Sequence, residues 1–177
     1  DPNPLVAGQG LSRLQQHGIT VDVGVLHDAA LEHHKGFFSR MIIKKPWVRI
    51  KTAASLDGRI ALKDGQSKWI TGSAARSDVQ RLRARSCAMI TSVATVLADD
   101  PQMNVREFPV ERQPWKVILD SQMRTPSDAK IFEQGKVIII AAQESTRRAS
   151  LEASGAEVLV MGDASQTRVD LPLVVDF

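Results

Sequence analysis

The chain holds a single cysteine, Cys87, among its 177 residues. One thiol excludes an intramolecular disulfide and any multi-cysteine zinc site within these residues, and suits a reducing cytoplasm. No run approaches the roughly 20 apolar residues that cross a bilayer, and the opening Asp1-Pro2-Asn3-Pro4 is neither basic nor apolar as a secretory signal requires. A soluble, cytoplasmic protein with no membrane partner is therefore expected. An excess of one charge is also lacking: 23 Lys plus Arg against 20 Asp plus Glu leave +3, too little to name a nucleic acid as partner. There is no internal repeat, no low-complexity tract, no Walker loop, no Gly-x-Gly-x-x-Gly and no Gly-x-Ser-x-Gly elbow. The four histidines fall at 17, 27, 33 and 34; His33 and His34 are adjacent and share no helix face, so no metal site is expected.

What is present is an ordinary globular composition, 43% hydrophobic and 24% charged, in a chain long enough to bury a core unaided. Apolar spacing predicts a helix from Val6 to His17, a β-branched strand from Ile19 to Val25 and a second helix from His27 to Met41. Lys44-Lys45-Pro46 then reads as a hinge, placing a boundary between residues 1–43 and 44–177. Beyond it, strands are predicted at Trp47–Ala54, Cys87–Thr91, Lys116–Leu119, Lys136–Ile140 and Glu157–Val160. Helices are predicted at Ala74–Ser86, from the Ser92 cap to Leu97, and at Arg147–Ser154. Alternation of this kind gives an α/β fold, a mainly parallel sheet with helices on both faces. Ligands of such sheets sit beyond the carboxyl ends of the strands, which directs attention to the segments after Ala54, Thr91 and Leu119.

Ser92 and Thr95 at a helix start could hold phosphate or ribose hydroxyls, or could only cap the helix. Asp99-Asp100-Pro101 is either a plain helix stop or places Asp99 to orient a ribose and assist proton movement. Arg76, Arg81, Arg83 and Arg85 crowd one helix and read first as a solvated face. Arg83 borders the buried stripe one turn from Val79, where it could reach a phosphate, and Arg106 is a second candidate. Trp69 is either packing or a ring wall for a nucleotide, and Cys87 reads as an inert buried thiol.

Taken together, these stretches resemble the bacterial bifunctional riboflavin-biosynthesis deaminase/reductase family. The carrying segments are Asp1–Leu11, Lys35–Met41, Ala53–Arg59, Ser67–Thr71, Asp78–Ala84, Thr95–Pro101 and Leu119–Ser121, collinear across the chain. The resemblance implies that residues 1–43 are the tail of a cytidine-deaminase-like α/β domain and that residues 44–177 form a reductase domain like dihydrofolate reductase. It implies NADPH as cofactor, reduction of a ribosylamino side chain to ribitylamino on a phosphorylated uracil, and a homodimer. Cofactor contacts carry over to Ala53, Trp69, Thr95, Asp99 and Ser121, with Asp99 also catalytic. Substrate contacts carry over to Ser67, Arg83, Met103 (commonly Leu in the family) and Arg106. The family's zinc signature, which serves deamination, and its Gly-rich loop with a substrate-contacting Glu are not among these residues. The reductase domain is therefore expected to be incomplete at its C-terminus and the 177 residues alone to turn over little. The alternatives are a pterin reductase of the same fold and, from another class, a basic nucleic-acid-binding module built on the Arg76–Arg85 helix.

Overall fold

A computed structural model describes residues 1–176; Phe177, the last residue of the expected second domain, lies outside the described residues. The chain divides into two compact units, Asp1–Lys51 with Val175 and Asp176, and Thr52–Val174. In the first, α1 spans Gln9–Gln16, α2 His27–His33 and α3 Lys35–Phe38, followed by a π-helical turn at Ser39–Ile43. The helix expected over His27–Met41 is thus broken at His34, whose φ of −109° leaves the helical range. Ile19–Val25, expected as a strand, is irregular and largely exposed. Among the described residues its alternation has no neighbouring strand to pair with, and strand formation depends on such pairing.

The second unit is built on α4 (Ser73–Ala84), β1 (Ala88–Ser92), α5 (Val93–Asp99), β2 (Trp115–Leu119), β3 (Val137–Ala141), α6 (Arg148–Ala153), β4 (Ala156–Val160) and the part of α7 (Leu171–Asp176) up to Val174. The strands form one parallel sheet in the order β1-β2-β3-β4, with Ile90 opposite Val117, Ile118 opposite Ile139 and Ile139 opposite Val158. β3, Val137-Ile138-Ile139-Ile140-Ala141, is buried throughout, as a continuous apolar run requires in a sheet covered on both faces. On one face Ile118, Ile139 and Val158 pack against Val93 and Val96 of α5, Leu151 of α6, and Met123 and Ile131. On the other, Val117, Ile138 and Ile140 meet Leu119, Leu159, Met161, Val169 and Val174. This is the α/β architecture expected.

Two further expectations fail. Trp47–Ala54 forms no strand; Trp47, Val48 and Ile50 are exposed, and among the described residues no strand pairs with this run. The turn after it does form, with Gly58 at φ 78° and the Ser55 amide donating to the Arg59 carbonyl. Cys87 and β1 are not buried either. β1 is an outer strand that alternates between exposed and half-buried, with Ile90 at 50% exposure, and Cys87 at its start is exposed.

Candidate functional site

The sheet and its connections divide the candidate residues between its two ends. At the carboxyl ends of β1 and β2, Ser92 pairs in register with Leu119, so the segments that follow run side by side. Ser92 Oγ caps α5 by accepting from the Thr95 amide at 3.4 Å and lies 3.5 Å from Thr95 Oγ1. Across from it, half-buried Ser121 accepts the Val169 amide on Oγ at 3.2 Å, and its carbonyl accepts the Ala142 amide. The residue before it, Asp120, is fully buried; Oδ2 takes the amide and the hydroxyl of Thr125, each at 2.7 Å, while Oδ1 is buried without a partner. Arg147 Nη2 donates to the Thr125 carbonyl at 3.1 Å, so the turn holding Ser121 is tied into α6's start. Hydroxyls from two adjacent strand ends can hold phosphate or ribose oxygens.

Asp99 ends α5 and faces solvent. Its neighbour Asp100 adopts the left-handed conformation at φ 41°, accepts the Lys130 amide on Oδ1 at 2.9 Å and pairs with Lys130 Nζ at 3.0 Å. Those bonds, the amide's first, lower the Asp100 pKa below the usual carboxylate value. The Asp-Asp-Pro run thus separates into one anchored and one free carboxylate. Ala53 and Ser67 are half-buried in irregular segments. Trp69 is 68% exposed, and the Arg76 guanidinium covers its ring at 4.4 Å from the centroid while donating to the Thr71 carbonyl. One ring face is thereby occupied by a cation. Arg76 was expected as part of a solvated face or, in the alternative, of a nucleic-acid-binding helix; a partner seven residues away across a loop leaves no periodic signal in the sequence.

The arginine pair lies elsewhere. Arg83, in α4's last turn, donates from Nη1 to the Asn104 carbonyl at 2.6 Å, and its Nε is buried with no partner. Burial, and then the like charge of Arg106, push the Arg83 pKa below its ordinary value. Among the described residues neither Arg83 nor Arg106 forms an ion pair. Met103, with φ 55°, packs against the core three residues before Arg106. Around Asn104, a network reaches Gln113 and Gln134, and an open cleft of about 700 Å³ is lined by Asn104, Arg106, Phe108, Gln113 and Gln134 among others. Because Arg83, Gln113 and Gln134 precede β1, β2 and β3, this cluster sits at the amino ends of the strands, not at the carboxyl ends where ligands were expected. Gln80, Asn104, Gln113 and Asp120 had no role assigned from sequence, since buried amides and carboxyls reveal their partners only after folding.

Among the described residues no three His, Cys, Asp or Glu side chains gather as metal ligands, and no helix is long and apolar enough to cross a membrane.

Comparison with known proteins adds the decisive observation: residues 46–177 match the family model described as "RibD C-terminal domain". The chain belongs to the RibD family. It is similar to the riboflavin biosynthesis protein RibD of Haemophilus influenzae, 50% identical over 144 residues covering 75% of this chain and 39% of that one. Among solved structures, RibD of Acinetobacter baumannii superposes with a TM-score of 0.84 at 43% identity, covering 99% of this chain and 48% of that chain. A Thermotoga maritima structure described as a diaminohydroxyphosphoribosylaminopyrimidine deaminase/5-amino-6-(5-phosphoribosylamino)uracil reductase superposes at 0.74 with 32% identity, covering 94% and 52%. The chain therefore spans about half the length of the RibD proteins it matches. The parallel sheet and its α/β class are those of the RibD structures it superposes on.

Proposed function

We propose that these residues carry the reductase half of a RibD enzyme of riboflavin biosynthesis, acting on a phosphorylated ribosylamino-uracil with NADPH. The observation that carries this reading is Arg83: its Nε is buried with nothing to bond, among the described residues neither it nor Arg106 has an acidic partner, and Arg83 and Gln80 tie the Asn104–Arg106 backbone to α4. A buried cationic donor is costly unless an anion joins it, and a planar fork suits phosphate. Met103 and Ser67 complete the substrate contacts on this reading.

The donor set at the other end fits a dinucleotide. Thr95 and Ser121 would bind ribose or phosphate oxygens, Ala53 would line the same side, and Trp69 would offer its free ring face to a flat heterocycle. NADPH supplies the hydride when bound. The protein's part is to hold the substrate's phosphate, orient the opened sugar and exclude water from the reacting carbon. Asp99, exposed and without a partner of its own, would orient a ribose hydroxyl and hold a proton near the reacting carbon.

On this reading zinc-dependent deamination belongs to residues outside this chain, the setting is the cytoplasm, the assembly is a homodimer, and neither nucleic acid nor membrane is a partner. Arg76 on Trp69 and Arg83 on Asn104 leave only Arg81 and Arg85 of the α4 arginines exposed, too few for a phosphate-tracking stripe.

The protein expressed from its whole coding sequence is expected to oxidise NADPH with the phosphorylated ribosylamino-uracil and not with a dihydropterin. Arg83→Ala should raise KM for that substrate by one to two orders of magnitude, and Asp99→Asn should lower kcat. Wild-type turnover in both variants, or preference for the pterin, would refute the assignment.

A further inference from the structure

Asn104, Val105 and Arg106 belong to no helix or strand, yet Asn104 and Val105 are buried, at 3% exposure each. Side chains hold their backbone in place of a ladder. Arg83 Nη1 donates to the Asn104 carbonyl at 2.6 Å. Gln113 grips Val105 at two points, accepting its amide on Oε1 at 2.8 Å and donating from Nε2 to its carbonyl at 2.9 Å. The Arg106 amide donates to Gln80 Oε1 at 3.3 Å, and Asn104 Nδ2 donates to Gln134 Oε1 at 2.9 Å.

Gln80 and Arg83 stand three residues apart on α4, on one helix face. α4 therefore holds the segment on both sides of Val105 while Gln113 holds Val105 itself. Gln80 is only 5% exposed, and a buried primary amide is unfavourable without a partner. The Arg106 side chain is exposed, so the root of that side chain is the part the fold can fix. Fixing it matters for recognition, because an arginine leaving an ordered backbone loses less freedom on meeting an anion than one on a mobile loop.

We propose that Gln80 and Gln113 are positioning residues that fix the backbone of Val105 and Arg106, and so set the Arg83–Arg106 spacing that selects a phosphorylated substrate. This rests on the reading of the two arginines as the phosphate anchor. The amides touch no substrate. Their effect passes through Arg106 alone, so it falls on the phosphate and not on the cofactor.

Gln80→Met and Gln113→Met keep the side-chain length and remove the polar ends. Both should speed hydrogen exchange of the Val105 and Arg106 amides and raise KM for the phosphorylated substrate roughly threefold to tenfold, the loss of one or two hydrogen bonds. KM for NADPH, kcat, and KM for the dephosphorylated substrate should stay put. Gln80→Glu keeps the acceptor and should restore slow exchange at Arg106. Unaccelerated exchange in the Met variants, fast exchange at Arg106 in Gln80→Glu, or an unchanged phosphorylated-substrate KM with a mobilised loop would each overturn the proposal. Arg106→Ala measured alongside separates the two readings: if it leaves that KM unchanged, the phosphate anchor is wrong, and the exchange rates alone report whether the clamp holds the loop.

Discussion

Lys116 brings a cation into the second strand of a parallel sheet and is only 1% exposed. Its ammonium donates to the Ile131 carbonyl, and burial first of all lowers its pKa to about 8, with Glu133 opposing and Arg83 reinforcing the shift. The folded protein therefore gives up this proton before the unfolded chain, whose lysine titrates near 10.5. Between those values the unfolded state binds more protons, so the group makes stability rise with pH, and its penalty is fully present below pH 8. The urea midpoint of the wild type should climb from pH 8 to 10 relative to that of Lys116→Met; parallel curves would contradict it.

Asp120 makes a different kind of demand. Its Oδ2 satisfies two buried donors of Thr125, so Asp120→Ala should cost about 3 kcal/mol in urea unfolding by stranding both. Thr125→Val, which leaves the amide bond in place, should cost about 1 kcal/mol.

At the scale of elements, β2, β3, β4, α4, α5 and α6 were legible because each has a partner its own pattern implies. Val137–Ala141 is apolar throughout and became the most buried strand; the Ser92 cap and the Asp100 stop bracket α5 where expected. Ile19–Val25 and Trp47–Ala54 carry equally good β-branched patterns and form no strand, since a pattern specifies a face but cannot supply the neighbour. The same limit hid the open side of β1. Past β4, Gly162 bridges to Val169 and brings that residue's amide to Ser121. A Cβ at Gly162 would lie 2.1 Å from the Ala142 carbonyl oxygen, so no side-chain adjustment relieves it and the backbone must part. Gly162→Ala should lower the melting temperature by several degrees and weaken cofactor binding together, measured by calorimetry and by NADPH titration.

Across the whole second unit, the arrangement of the site was only half legible. Arg83 was distinguished from the other α4 arginines by its place beside Val79, and Ser92, Thr95 and Ser121 by following strands. That Arg83 and Arg106 gather at the opposite end of the sheet depends on contacts 21 and 26 residues apart in sequence, Arg83 to Asn104 and Gln80 to Arg106, which no local pattern encodes. Their lack of an acidic partner among the described residues has a measurable consequence without turnover. Millimolar inorganic phosphate or sulfate should raise the melting temperature, as any ligand of the folded state does, and the gain should shrink in Arg106→Ala. An equal gain in both proteins would argue against an anion at that pair.

The Trp69 ring, one face under Arg76 and the other open, also makes the molecule its own optical reporter. Its three tryptophans, Trp47, Trp69 and Trp115, are the whole source of near-ultraviolet emission in a chain without tyrosine. With Trp47→Phe and Trp115→Phe in place, the remaining indole signal follows that single open face, and its quenching would register an arriving ring before any product forms.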